Sequence, residues 1–239
     1  MKRVSVIVKC LPEVIAALIL VFLLLPVALA GTVLYGGLGG HGVSSGPQAS
    51  TNDGALVIVS QIDGSTTVVG HPAGVARISG LIFGLDGTLF AATQDGGGFP
   101  PPPGPISTSN LIRINPDTGA LISSVPIADG ATALSIADLA VHPTTGVLYG
   151  TGGVGGFNSR ANRSGSVYTI NATTGAATFI GDTRKFFASI AFGPDGTLYM
   201  SSGELVGDLG PILPLLLTLN PTNAEILTRT YLKFALRAS

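Results

Sequence analysis

From residue 31 onward, apolar and polar positions alternate in short runs, and the runs come in pairs around tight turns. One pair is Leu81-Ile-Phe-Gly-Leu-Asp-Gly-Thr-Leu-Phe90. Leu139-Ala-Val-His-Pro-Thr-Thr-Gly-Val-Leu-Tyr149 and Ile190-Ala-Phe-Gly-Pro-Asp-Gly-Thr-Leu-Tyr199 repeat it, and Gly31-Thr-Val-Leu-Tyr35 matches its second half. A second pair falls between these: Leu111-Ile-Arg-Ile-Asn-Pro-Asp-Thr-Gly-Ala120, Val167-Tyr-Thr-Ile-Asn-Ala-Thr-Thr-Gly-Ala176, the worn copy Leu217-Thr-Leu-Asn-Pro-Thr-Asn-Ala224, and faintly Val57 to Ser65. Period-two alternation over such lengths predicts half-buried strands. Asp-Gly between apolar runs is a hairpin signal, and Asn-Pro-Asp-Thr-Gly joins a proline-held φ to a permissive glycine in one short reversal.

The turn glycines Gly64, Gly119 and Gly175, like Gly87, Gly146 and Gly196, mark a unit of about fifty residues. Each unit holds two hairpins, hence four antiparallel strands, named A and B around the first turn and C and D around the second. Four short antiparallel strands per repeat describe a propeller blade. The expected fold is therefore all-β, a β-propeller of about four blades. In chain order the strands run B-C-D and then A-B-C-D three times. The first blade lacks its A strand, and the apolar tail Thr230 to Leu236 has the length to supply it. That pairing would close the ring; otherwise the chain is an open fragment of a larger propeller.

The elements Leu139 to Tyr149 and Leu111 to Gly119 resemble the blades of bacterial exported propellers, the broad class of NHL-like, lactonase-like and quinoprotein-like repeats. The resemblance runs from residue 31 to about residue 229. It implies an architecture and leaves the activity open, since propellers host many unrelated functions.

The first thirty residues are of another kind. Lys2, Arg3 and Lys9 precede the apolar run Val14 to Leu25, and Ala28-Leu29-Ala30 follows Pro26. A basic start, a short apolar core and a small-x-small site describe a secretory signal peptide. The alternative, an uncleaved anchor, needs about twenty apolar residues, and Pro26 with its small neighbours suits cleavage better. The expected organisation is a signal peptide at residues 1–30 and one propeller domain at 31–239. The protein is then exported, to the periplasm, the cell surface or the extracellular space. With the signal removed, no further membrane span is expected, because Leu209 to Leu219 is short and broken by Pro211 and Pro214.

Composition narrows the function. The single cysteine, Cys10, falls in the signal, so the mature domain has no disulfide and no cysteine nucleophile or ligand. The chain carries a net charge of −1, and losing the basic start makes the rest more acidic, which removes the field a nucleic-acid partner would need. His41, His71 and His142 stand at different repeat positions without metal or triad spacing, and His142 fills a turn slot held elsewhere by glycine. Two glycine-rich stretches, at Gly37 and Gly150, fit G-x-G-x-x-G but lead into strands rather than the helix a dinucleotide site requires. Phe99 to Pro105 is a stiff proline-rich loop. Asn162-Arg-Ser and Asn171-Ala-Thr have the acceptor pattern for glycosylation, although Asn171 aligns with the turn residue Asn115.

Long irregular stretches at 38–53, 94–109, 152–165 and 202–214 all join B to C, on the face opposite the tight turns. Function on a rigid scaffold gathers in such loops. The candidate ligand-face residues are Asp53, Asp95, Asp138, Asn158, Asp182 and Glu204. A lactonase-like calcium site would need oxygens from several blades. Asp138 is the one carboxylate expected near the channel, its counterparts being Gly80 and Ser189, so no cofactor is expected and calcium is the single metal with a route to binding. The expected function is a non-catalytic binding module that takes a protein or a saccharide on its loop face. The alternatives are a lactonase-like metal-dependent hydrolase, a quinoprotein-like oxidoreductase, or a propeller fragment with no activity of its own.

Overall fold

The computed structural model describes residues 33–39, 52–94, 108–152, 165–205 and 212–232. The chain divides into two units, Met1–Val33 and Leu34–Ser239, and the strands of the fold all belong to the second. Among the described residues no helix is long and apolar enough to cross a membrane.

The strands are β1 (Leu34–Gly37), β2 (Leu56–Val59), β3 (Thr66–Gly70), β4 (Ile78–Phe83), β5 (Leu89–Thr93), β6 (Asn110–Ile114), β7 (Leu121–Pro126), β8 (Ala128–Asp129), β9 (Thr132–Ala133), β10 (Ile136–Val141), β11 (Leu148–Gly152), β12 (Ser166–Ile170), β13 (Ala177–Asp182), β14 (Phe186–Phe192), β15 (Leu198–Leu205), β16 (Ile212–Leu219) and β17 (Ile226–Tyr231). They form sheets β1-β2-β3, β4-β5-β6-β7, β10-β11-β12-β13 and β14-β15-β16-β17, each meandering and antiparallel, plus the small pair β8-β9. The A strands β4, β10 and β14 pack one on the next, and β1 touches β4 as β5 touches β10 and β11 touches β14. That correspondence identifies β1 as a B strand. Four blades in a ring make the protein an all-β, four-bladed β-propeller.

Burial follows strand order. The B strands β5 and β11 are buried at every residue, whereas the outer strand β17 is exposed at all but its first. A B strand has a neighbouring blade on each side, so both of its faces must be apolar, and successive residues serve different cores. Leu89 and Ala91 enter the core shared with the first blade, together with Leu56, Ile78, Ile112 and Ile114. Phe90 and Ala92 turn the other way, to Leu111, Ile136, Leu139, Leu148 and Tyr168 at the boundary of the second and third blades. A third core joins Ala140 and Tyr149 to Ile190, Leu198, Met200, Leu215 and Leu217. The blades therefore cohere through cores lying between them.

Three features depart from the sequence-based expectation. The first blade has three strands among the described residues, but Thr230 and Tyr231, expected in its missing A strand, lie in β17 opposite Leu216 and Leu215. The long apolar strand β16 carries the ladder that far, and the Leu232 amide continues it by donating to the Pro214 carbonyl at 2.9 Å. Residues 233–239 lie outside the described residues. Second, the stretch 202–214 is largely strand, since β15 and β16 pair from Leu198↔Leu219 out to Leu205↔Ile212. Third, the connection from the second blade to the third holds the small hairpin β8-β9, which the sequence pattern does not announce.

Each described C–D turn after the first also braces a neighbouring blade. A Cβ on Gly119 would stand 2.5 Å from the Gly70 Cα, and one on Gly175 would stand 2.2 Å from the Pro126 carbonyl oxygen. Both glycines have positive φ, 69° and 74°. In the fourth blade the same position is Ala224, at φ 56°, set against Gly181 of the preceding outer strand.

Candidate functional site

The turns between A and B hold no spare chemistry. The Asp86 carboxylate accepts from the Thr88 amide at 3.0 Å and hydroxyl at 2.9 Å, and Asp195 does the same for Thr197 at 3.0 and 2.8 Å. The bonds from the Thr88 and Thr197 amides, then from their hydroxyls, hold both carboxyls below the ordinary aspartate range. In the third blade His142 Nδ1 accepts from the Thr144 and Thr145 amides at 3.2 and 3.3 Å. Asn171 Oδ1 accepts in the same way from Thr173 and Thr174 in a C–D turn. His142 is thus a turn cap, further held by a ring contact with Phe192 at 4.9 Å.

The opposite edge, where D–A connections lead into the next blade, is chemically richer. At the inner strands, Gly80 lies so close to the third blade that a Cβ would stand 2.8 Å from the Asp138 Cα. On its other side, Asp138 Oδ2 accepts from the Ser189 hydroxyl and from the Ile190 amide at 3.0 Å, while Oδ1 accepts from its neighbour Leu139 at 2.9 Å. A register shift between Ile136 and Asp138 interrupts the ladder beside this contact, a common device for re-aiming a side chain. With donors from two blades around it, Asp138 serves as a tie between β10 and β14.

Farther out, the third blade carries a buried phenol. Tyr168 of β12 is buried, and its hydroxyl is pushed above the usual tyrosine range, first by burial, with the Ser166 hydroxyl opposing and the Asp129 and Asp182 carboxylates adding to the rise. Asp129 arrives on the β8-β9 hairpin and Asp182 at the end of β13. Asp182 Oδ1 also accepts from the Arg184 amide at 2.8 Å, and Arg184 takes the left-handed φ of 55°. Beneath them the Thr183 hydroxyl donates to the Gly165 carbonyl at 3.0 Å. Nearby in sequence, the fully buried Ser135 hydroxyl has no hydrogen-bond partner. The carboxylates of Asp129 and Asp182 can accept from hydroxyl groups or from a cationic group.

Of the residues expected on the ligand face, Asp138 is committed to the inter-blade tie and Asp182 ends β13, where it accepts from the Arg184 amide. Asp53 is half-buried in the turn before β2. Glu204 lies within β15, opposite Leu213, rather than in a loop. Asp95 and Asn158 fall outside the described residues, as do Phe99 to Pro105 and Asn162. Among the described residues no group of three or more His, Cys, Asp or Glu side chains is placed to hold a metal ion. The sequence pattern does not single out Tyr168, although it carries a signal: the repeat counterpart is Ile112, so a polar-tipped side chain replaces an apolar one.

No family model matches the chain, and no curated protein matches it. Among solved structures it is similar to an auxiliary nutrient binding protein from Bacteroides ovatus ATCC 8483, at 11% identity and a TM-score of 0.43, over 76% of this chain and 37% of that one. It is similar to the Dos1 propeller at 17% identity and a TM-score of 0.46, over 84% and 44% of the two chains. A glycoside hydrolase family 43 arabinoxylan arabinofuranohydrolase from Bacillus subtilis gives 16% identity and a TM-score of 0.47, over 75% and 46%. The chain spans less than half the length of each. Likenesses this distant carry no argument about activity, so the function rests on the site itself.

Proposed function

We propose that this chain is an exported, non-catalytic propeller that binds its ligand on the edge bearing the B–C and D–A connections. One observation supports the reading above others: Asp129 on the exposed β8-β9 hairpin and Asp182 at the end of β13 bring carboxylates to that edge, while the described A–B turns spend their acceptors on their own amides. Carboxylates on such an edge suit a hydroxyl-rich ligand, so a saccharide is the preferred class and a protein surface the alternative. The export part of the reading rests on the basic start, apolar core and Ala28-Leu29-Ala30 of the first thirty residues.

The test is a glycan array probed with purified residues 31–239, followed by calorimetry on any hit. The expected result is binding that weakens at least tenfold in the Asp129→Asn/Asp182→Asn double variant, a loss of about 1.4 kcal/mol or more. Binding indifferent to both substitutions would move the site elsewhere. Turnover of a lactone, or the visible spectrum of a bound quinone, would replace the reading with an enzymatic one.

A further inference from the structure

Five Asp-Gly pairs lie among the described residues: Asp53-Gly54, Asp63-Gly64, Asp86-Gly87, Asp129-Gly130 and Asp195-Gly196. In such a pair the glycine amide nitrogen can attack the aspartate carboxyl carbon, because glycine has no Cβ to obstruct the approach. Two things oppose the attack in a folded chain. An amide that donates a hydrogen bond is held in place, and an ionised carboxylate held by donors is a poor electrophile.

Four pairs are protected in this way. Gly54 donates to the Leu38 carbonyl at 3.0 Å, Gly64 to Ser60 at 2.9 Å, Gly87 to Gly84 at 3.0 Å and Gly196 to Gly193 at 3.0 Å. Three of the partner carboxylates are also engaged. Asp63 accepts from the Ser65 amide at 3.0 Å and hydroxyl at 2.8 Å, and Asp86 and Asp195 accept from Thr88 and Thr197. Hydrogen bonding from the Ser60 side chain, then from Ser65, lowers Asp63 to about 2.

Asp129-Gly130 differs in every respect. Asp129 ends β8 opposite Thr132, so Gly130 and Ala131 form the two-residue turn of the hairpin. Gly130 has φ 57° and Ala131 is not in the left-handed region, the pattern of a type II′ turn. Both Asp129 and Gly130 are exposed, and nothing lies within 4 Å of a Cβ built on Gly130. Among the described residues the Gly130 amide donates to no acceptor and the Asp129 carboxylate accepts from no donor.

We propose that Asp129-Gly130 is a modification site, where the folded protein converts aspartate to isoaspartate through a succinimide. The Gly130 nitrogen bonds to the Asp129 Cγ, the carboxyl hydroxyl leaves as water, and the amide proton passes to solvent. Water then opens the ring. Attack at Cγ restores aspartate; attack at the main-chain carbonyl carbon leaves the chain running through Cβ and Cγ. No oxidant or reductant takes part, and the final mass equals the starting mass. The product places an extra carbon in the hairpin backbone and moves the Asp129 carboxylate relative to Tyr168.

The experiment ages purified residues 31–239 in mildly acidic buffer below the melting temperature. Isoaspartate is then labelled by protein L-isoaspartyl methyltransferase, and each Asp-Gly peptide is quantified by mass spectrometry with electron-transfer fragmentation. A parallel sample is aged in denaturing urea. In the native sample Asp129 should carry severalfold more label than Asp53, Asp63, Asp86 or Asp195, and Asp129→Glu should remove that signal. In urea the label should spread across all of these and Asp95-Gly96 alike, since the local chemistry is then the same. Equal labelling of the five in the native protein, or a distribution unchanged by urea, would overturn the proposal.

Discussion

The A–B turns and the D–A connections do opposite work in the repeat, and they have diverged to different degrees. Each described A–B turn closes on itself, with Asp86, His142 or Asp195 holding the amides of its own turn. Such a turn satisfies its own amides; the Asp-Gly form recurs at Asp86-Gly87 and Asp195-Gly196, while the third blade caps its turn with His142 instead. The D–A connections must reach the next blade, and each does so differently. Residues 71–77 form one, the segment around β8-β9 another, and the short 183–185 with Arg184 at φ 55° a third. Local self-sufficiency preserves a motif, whereas a connection that must span between blades is free to acquire new chemistry.

The sharpest way to break this contrast is to disturb a turn that is not self-contained. Gly175 has positive φ and no room for a Cβ, being pressed on Pro126, whereas Gly87 has positive φ in open space. Gly175→Ala is expected to destabilise the domain by about 3 kcal/mol, from backbone strain plus overpacking, and Gly87→Ala by about 1 kcal/mol, from the left-handed backbone alone. Urea midpoints of the two variants decide the matter; equal shifts would mean that blade contact adds nothing.

A smaller effect tests the tie between inner strands. Asp138→Ala leaves the Ile190 amide and the Ser189 hydroxyl without their acceptor, at an expected cost of about 2 kcal/mol. Ser189→Ala should cost less, and the double variant should fall short of the sum, because the two changes remove one interaction. Additive losses in thermal melting would count against the tie.

The smallest effect is the most specific. His142→Asn should leave stability within about 1 kcal/mol of the parent, the loss of the Phe192 ring contact being its main cost. His142→Ala, which leaves two turn amides uncapped, should be the worse of the two by about 1 kcal/mol. If the two variants melt together, His142 is held by packing rather than by its nitrogen.

Much of the fold could be read from the chain because its signals are local. Alternation set the strands, Asp-Gly and Asn-Pro-Asp-Thr-Gly set the hairpins, and the strand count left the first blade without an A strand, as the sheet β1-β2-β3 has it. Where local signals misled, a long-range cause is identifiable. Gly203 and Pro214 punctuate the sequence like a loop, yet they face each other in the β15-β16 ladder. Thr230 and Tyr231 stay with β17 because β16 is long enough to pair with them. The site was the least legible part. Asp129 reaches this edge only because the connection to the third blade folds into a short, alanine-rich hairpin, and neither residue type nor spacing encodes that hairpin.

The cap at His142 has a practical meaning for anyone reshaping this protein. In the third blade the A–B hairpin carries a Pro-Thr-Thr-Gly reversal with the same amide-to-side-chain bonding as the C–D hairpin at Asn171. One turn design therefore already serves two unlike positions in the blade. Such a turn is a cassette on its inner side alone: its bonding to its own amides is the same in both hairpins, while its outward contacts, Gly175 on Pro126 and His142 on Phe192, belong to each place and would have to be rebuilt in any transplant.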